Sequence, residues 1–327
     1  MRSESLIEEM QEKTNRILKS LVSNVQEVPI LDFPDIKNVG DSAIWLGEVA
    51  YLKKFHNVKP GYVSTINGYD PKALKRMHPE GDVFFHGGGN FGDIWYGHQL
   101  FRDQVLKDFK GRRVIQFPQS IHFESAQKLE QAKRVIGEHG EFVLLVRDLV
   151  SERFAKKYFD CQVMLCPDMA FSIGAVSELA SVQYPVLAML REDKEVNSDL
   201  VGADSPLGNI PSEDWITEDS KLVKRAKLRA AFSELSSLNY NRCNAAALHA
   251  AAKNRFVRGI TQICRGRTII TDRLHVHICS LLLGKKHAVL DNSYRKIGNF
   301  ISAFYPDCEI VFRATSVQDA IDWAEAQ

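Results

Sequence analysis

No two of the six cysteines, Cys161, Cys166, Cys243, Cys264, Cys279 and Cys308, are spaced as CxxC. A disulfide frame or zinc site is therefore not indicated. These residues read instead as small buried hydrophobes in a reducing compartment, as for Cys279 inside HICSLLLG. Neither sign of charge is in excess, since Lys plus Arg number 42 and Asp plus Glu 41, a formal net charge of +1. No global field would draw this chain onto nucleic acid or an anionic membrane, so any anion site has to be local. Apolar runs fall far short of the ~20 residues of a membrane span. Residues 1–21, MRSESLIEEMQEKTNRILKSL, are amphipathic and mixed in charge, without the apolar centre of a signal peptide. Internal repeats and low-complexity tracts are absent too. The expectation is a cytoplasmic globular protein. Its 327 residues, 45% hydrophobic and 25% charged, suit two domains of roughly 150 residues each.

Short apolar runs alternate with helical patterns along the chain. Residues 1–22 read as a helix, IL-DF as a strand, 34–41 as a loop and 42–55 as a helix. The strands GYVSTI, DVFFH, RRVIQF, FVLLVR and QVMLC then alternate with the helices PKALKRM, IWYGHQLFRDQVLKDF, SAQKLEQAKRVIGEH and VSERFAKKYF. YPVLAMLR, residues 184–191, opens a second series that continues through a long helix 243–265, RTIIT, LHVHICSLLL, HAVL, KIGNFISAF, EIVF and a helix 316–326. Such alternation implies parallel sheets covered on both faces. The fold class expected is α/β, with two Rossmann-like doubly wound domains in a glycosyltransferase-B-like arrangement around an interdomain cleft. Residues 1–180 form the first domain and 181–327 the second. The polar stretch 192–240, with Pro206, Gly208 and Pro211, reads as an insertion or mobile loop followed by helices.

Five segments carry candidate chemistry. His86-Gly87-Gly88-Gly89-Asn90-Phe91-Gly92-Asp93 follows the strand DVFF and is expected to open a helix, where glycines and free N–H groups favour a polar or anionic ligand. Formally it contains GxGxxG, but the next strand ends Phe117-Pro118-Gln119-Ser120 without the acid that a dinucleotide ribose needs. Asp41, in Asn38-Val39-Gly40-Asp41, either caps the following helix or accepts a proton at the cleft. Arg147 ends a strand in Val146-Arg147-Asp148, as an anion clamp or as half of a surface ion pair. In Thr271-Asp272-Arg273-Leu274-His275-Val276-His277, Thr271 or Asp272 would cap a helix. Arg273 and His275 would then share its first turn, the fork of one suiting phosphate and the imidazole of the other suiting proton transfer. His275 and His277 splay apart at i,i+2 with no third ligand nearby, so no metal site is expected and His277 reads as structural. Arg295 and Lys296, in Asp291-Asn292-Ser293-Tyr294-Arg295-Lys296, place two cations at another strand end, either for the same phosphate or as a solvated helix start.

Taken in order, the GD turn, HGGGNFGD, FPQS, VRD, Pro167-Asp168 and TDRLH…G…DNSYRK resemble the polysaccharide pyruvyltransferases over about residues 35–304. The resemblance implies a pyruvate ketal formed on a hexose, with phosphoenolpyruvate as co-substrate and no cofactor. It implies that Arg147 and Arg273 hold the donor, that His275 is the general acid, and that Arg295 or Lys296 supplies a further cation. His86, Gly87, Gly88, Gly89 and Asn90 would face the acceptor, with Asp41 or Asp93 as base for its hydroxyl. The acceptor would be a sugar or a lipid-linked oligosaccharide, which leaves open both peripheral contact with the inner membrane face and a homo-oligomer. Two other readings stand beside it: a nucleotide-sugar glycosyltransferase of the same architecture, and a non-catalytic sugar-binding member of the family.

Overall fold

The structure, a computed structural model, describes residues 1–23, 25–191, 207–237, 239–291, 295–305 and 307–327, of which 237 and 296 are described by backbone alone. Its first part runs α1 (Ser3–Leu18), β1 (Glu27–Leu31), α2 (Val39–Tyr51), β2 (Lys59–Ser64), α3 (Pro71–Met77), β3 (Val83–Phe85), β4 (Gly88–Gly92), α4 (Tyr96–Asp108), β5 (Val114–His122), α5 (Ala126–His139), β6 (Phe142–Val146), α6 (Leu149–Tyr158) and β7 (Gln162–Leu165). A 3-10 turn, Met169–Ile173, leads to β8 (Tyr184–Met189), β9 (Ser212–Glu213), α7 (Ser220–Ser233), α8 (Tyr240–Cys264), β10 (Gly266–Thr271), α9 (Leu274–Leu282), β11 (His287–Val289), α10 (Lys296–Phe304), β12 (Val311–Arg313) and α11 (Val317–Glu325).

Two sheets result, and every pairing in them is parallel. The first has the order β2-β1-β3-β5-β6-β7, with β4 added to β5, and the second β12-β11-β10-β8-β9. Strand order reverses once in each, between β1 and β3 and between β8 and β10. At such a reversal the adjoining crossovers leave on opposite faces and open a crevice at the carboxyl ends of the strands. Leu31 and Phe85 end the strands at the first reversal, and Met189 and Thr271 at the second.

Helix boundaries follow local chemistry. The Asp70 carboxylate accepts from Lys72 and Ala73 N–H ahead of Pro71, whose missing donor is harmless in a first turn. Asp148 caps α6 by accepting from Ser151 N–H. At α2 the cap is Asn38, accepting from Gly40 N–H, and Asp41 lies inside the first turn, so the reading of Asp41 as the cap does not hold.

The sheets share packing. Helix α8 buries Ala245, Leu248 and Ala252 with Val28 and Val63 of the first sheet. Farther along, the same helix buries Phe256, Ile260 and Ile263 with Leu187 and Ile269 of the second. Gly259 lets it lie against α2, since a Cβ there would stand 2.4 Å from Val39 Cγ1. Of the polar stretch 192–240, residues 192–206 and 238 lie outside the described residues, and the rest carries β9 and α7. No helix among the described residues is long and apolar enough to cross a membrane.

Candidate active site

A cavity of about 550 Å³ opens where the two strand reversals meet. Asp32, Phe33, His86 and Asn90 line it from the first sheet, and Arg191, Arg273 and His275 from the second. Arg147 lines it as well, from the end of β6.

Arg147 is 3% exposed, so its charge requires a partner. That partner is Asp168: one Nη1–H donates to Oδ2 over 2.5 Å, while Nε–H donates to Ser120 Oγ at 3.0 Å. His275 closes a triangle, its Nε2 standing 3.3 Å from Asp168 Oδ2 and 3.3 Å from Arg147 Nη1. Asp168 is itself fixed because Oδ1 accepts from Ala170 N–H at 2.9 Å and caps the 3-10 turn. Burial alone would raise the Asp168 carboxyl, but the charges of His275 and Arg147 outweigh it and hold the group well below the usual carboxylate range. The second arginine repeats the device, since Arg273 Nη2–H donates to the buried Asp214 at 2.5 Å. Thr271 Oγ accepts from Arg273 N–H at 3.0 Å and fixes the backbone there. Arg273, not Thr271 or Asp272, occupies the cap position of α9, and His275 lies in the first turn. Asp272 lies beneath, accepting from Arg191 N–H, and burial pushes its carboxyl up to about 6.

The glycine segment departs from expectation. Instead of opening a helix, residues 88–92 form β4 against the outer half of β5, and α4 begins only at Tyr96. The glycines serve close backbone contact: Gly92, at φ +123°, has no room for a Cβ beside the His122 carbonyl. A Cβ on Gly87 would stand 2.8 Å from the Pro118 carbonyl oxygen. The reading of this loop as a helix N-terminus that cradles an anion is therefore corrected. Beneath it, the buried Glu48 accepts from Gly87 N–H at 2.8 Å and faces His86 Nδ1 at 3.0 Å. Burial would lower the His86 imidazole, and the Glu48 carboxylate reverses this and raises it. Asn90 is held on both sides. Its Oδ1 accepts from the buried Arg102 and from Gln119, which turns Nδ2–H toward Asp32. Asp32 also faces His98 Nδ1 at 2.8 Å.

The sequence profile of the polysaccharide pyruvyl transferases matches residues 38–294, which span nearly all of these elements. The chain belongs to that family. It is 30% identical over 325 residues to Pyruvyl transferase 1 of Schizosaccharomyces pombe, covering 94% of this chain and 76% of that protein. It is 28% identical over 294 residues to EpsO of Bacillus subtilis, which is named provisionally as a pyruvyl transferase, covering 86% of this chain and 87% of the other. The crystal structure of the uncharacterized protein KP1_0663 from Klebsiella pneumoniae has the same fold, with a TM-score of 0.57, 21% identity, and 93% and 99% of the two chains covered.

Of the residues singled out within this family member, Arg147, Arg273, His275, Asp41, His86, Gly89 and Asn90 all line the cavity. Asp41 accepts from Asn38 Nδ2–H at 2.8 Å. Gly88, at φ +132°, faces Asp41, to whose Oδ1 a Cβ would come within 3.6 Å. Asp93 does not line the cavity. Its carboxylate accepts from Glu124 and Ser125 N–H and ties β4 to the start of α5, so the expectation of a base there is corrected. Arg295 does not reach the cavity either. Its side chain is exposed and lies 3.8 Å from Asp291, which matches the solvated helix start. The Lys296 side chain, with residues 292–294, lies outside the described residues. His277 is structural, as its spacing suggests: Nδ1 meets His287 Nε2 at 2.7 Å, and Nε2 meets the Tyr305 hydroxyl.

Sequence reasoning missed Asp32, His98, Arg191 and Asp214, and it gave no role to Asp168. Asp32 and Arg191 each follow the end of a strand at a reversal, a position that could have been flagged. Nothing local marks Asp214 or His98.

Proposed function

We propose that this protein transfers pyruvate from phosphoenolpyruvate to a hexose of a polysaccharide or its precursor, forming a cyclic pyruvate ketal. One observation carries the reading: Arg147 and His275, 128 residues apart, meet around Asp168 at one wall of the cavity. Phosphoenolpyruvate brings a phosphate and a carboxylate, and taking both out of water needs several cations with fixed geometry. Arg147 and Arg273 are held by Asp168 and Asp214, so little side-chain freedom is lost when they engage the donor. Arg191, at the same cavity, takes the place of the further cation that Arg295 does not supply.

The chemistry balances with these groups alone. His275, as imidazolium beside Asp168, delivers a proton to the methylene carbon of the donor. The double bond becomes a methyl group, and an oxocarbenium-like centre forms at the carbon bearing the phosphate. One sugar hydroxyl attacks that carbon, and its proton passes to a base. Phosphate then departs and the second hydroxyl closes the ring; of the two hydroxyl protons, one leaves on the phosphate and the other restores the His275 imidazolium. Asp41, across from Gly88, is the candidate base. The same reading takes the two sheets as two domains meeting near residue 180, arranged like glycosyltransferase B, with the cavity as their cleft. It draws support from the separate apolar clusters around Phe85 and Val146 and around Val186 and Ile270.

Calorimetric titration with phosphoenolpyruvate, wild type beside Arg273→Ala, tests the donor. Saturable binding in the wild type that the variant loses is the expected result. Binding of UDP-glucose in place of phosphoenolpyruvate would overturn it in favour of a glycosyltransferase. His275→Ala then tests the acid: turnover should fall roughly 10²–10⁴-fold in a protein whose circular dichroism shows that it still folds.

A further inference from the structure

Helix α7 presents a surface that the reaction does not use. Lys221, Lys224, Arg225, Lys227 and Arg229 give it five cations, and no acid lies between Ser220 and Ser233. In a chain of net charge +1 this is a local excess. Only Val223 of the helix is fully buried. On the outer side Leu222, Leu228 and Phe232 are 51%, 58% and 66% exposed, and Leu235 just beyond the helix is 52% exposed. At 100° per residue, Leu228, Lys221, Phe232 and Arg225 fall on one outward arc, with Lys224 and Arg229 on its flanks. An apolar ridge flanked by cations that have no acid partner among the described residues fits a boundary that is hydrocarbon below and negatively charged above.

The helix is also placed beside the cavity. Lys227, on its inner side, donates to Asp35 Oδ2 at 2.6 Å, and Asp35 lines the cavity. Asp35 is held in turn by Arg255, which also grips Glu218 just ahead of α7. A surface against α7 would therefore lie at the rim of the opening, with the helix anchored there by ion pairs separate from its outward cations.

We infer that α7 docks the protein on an anionic lipid bilayer, with Leu228 and Phe232 entering the headgroup boundary and Lys221, Lys224, Arg225 and Arg229 meeting lipid phosphates. Charge complementarity selects this occupant, since a second copy of the chain would set the same cations against each other if α7 met α7. The inference does not depend on the reaction proposed above, because its readout is binding to lipid.

Co-sedimentation of the full-length protein with phosphatidylcholine vesicles, with and without phosphatidylglycerol, tests it. The wild type should pellet only with the anionic vesicles, and less so as salt rises. Each cation near such a surface contributes roughly a fivefold change in partition, so the triple variant Lys224→Glu, Arg225→Glu, Arg229→Glu should bind on the order of a hundredfold more weakly or worse. A separate double variant, Leu228→Ser with Phe232→Ser, should also release the protein. All these side chains are exposed, so both variants should keep the wild-type melting temperature and circular dichroism, and that control separates lost docking from lost folding. Three results would overturn the inference. The first is wild type remaining in the supernatant with both vesicle types. The second is variants that pellet as well as the wild type. The third is a wild-type dimer in solution that these substitutions convert to monomer, which would make the face a contact between copies.

Discussion

Gly40 lies directly against the imidazole of His275: a Cβ built on it would stand 2.5 Å from Nδ1 and 2.7 Å from the ring carbon Cγ. The sequence suggests a turn glycine at this position, yet Gly40 is inside helix α2 and what it provides is room. The first turn of α2 thereby forms one wall of the histidine's pocket, with Arg147 and Asp168 at its far nitrogen. Gly40→Ala should push the imidazole away from both. An error of about 1 Å at a reacting group costs on the order of 10²-fold in rate. The expected outcome is a large fall in kcat with a smaller change in the donor's KM, read by steady-state kinetics. Normal turnover by the alanine variant would remove His275 from the chemistry or show that α2 yields freely.

Arg273 offers a test of geometry apart from charge. Its guanidinium gives one N–H to Asp214, and the residue lines the cavity. Lysine keeps the charge and loses the fork. Arg273→Lys should raise the donor's KM, and calorimetry should show weaker phosphoenolpyruvate binding while acceptor binding is preserved. Equal loss for both ligands would point to disturbance of the whole second sheet.

Much of this arrangement was legible in the sequence. Apolar strands separated by helices gave the parallel sheets, and a strand ending in Arg147 or leading into Arg273 and His275 marked the edges where ligands collect. What could not be read is which side chains meet across long separations. Asp214 is 59 residues from Arg273, in a polar stretch without periodicity, and only the pairing of β8 with β9 brings it in. Glycine was ambiguous because the same residue serves a phosphate loop, a positive φ and a close approach of backbones. Gly87 and Gly92 serve packing against β5, which turned an expected helix start into a strand. Asp93 follows those glycines immediately, but backbone direction aims it at the cap of α5.

Asp168 accepts from Arg147 and faces His275 Nε2 in a nearly dry corner. Replacing it with Asn keeps the shape but leaves Arg147 without its buried counter-charge. Breaking a buried pair from one side costs about 3–5 kcal/mol. Asp168→Asn should accordingly lower the denaturant midpoint with an unchanged slope, and should impair turnover. The acid limb of stability should change as well. A carboxyl held below its ordinary value adds stability that is complete above the unfolded value and is lost as pH falls toward the folded one. Wild type should therefore lose stability on acidification below about pH 4, where the unfolded carboxyl begins to protonate. The variant should lack that part of the loss.

Asp272 should act in the opposite sense. Its folded-state value of about 6 lies above the ordinary 3.8, because burial disfavours the charge more than Arg191 N–H and the neighbouring arginines favour it. Between about pH 4 and pH 6 the folded chain keeps a proton that the unfolded chain has released. Stability from this group consequently falls as pH rises through that window, by roughly 1.4 kcal/mol for each tenfold difference in proton affinity between the two states. The buried pair His277 and His287 slopes the other way, since burial holds His287 near 4 and the folded state there binds fewer protons than the unfolded. The two contributions overlap in wild type, so the absolute profile is not diagnostic and the comparison with Asp272→Asn is. Urea unfolding of both proteins at pH 4, 5, 6 and 7 should show the asparagine variant gaining relative to wild type as pH rises to about 6, with a constant difference beyond. A difference that is flat from pH 4 to pH 7 would mean that burial does not raise the Asp272 carboxyl above its unfolded value.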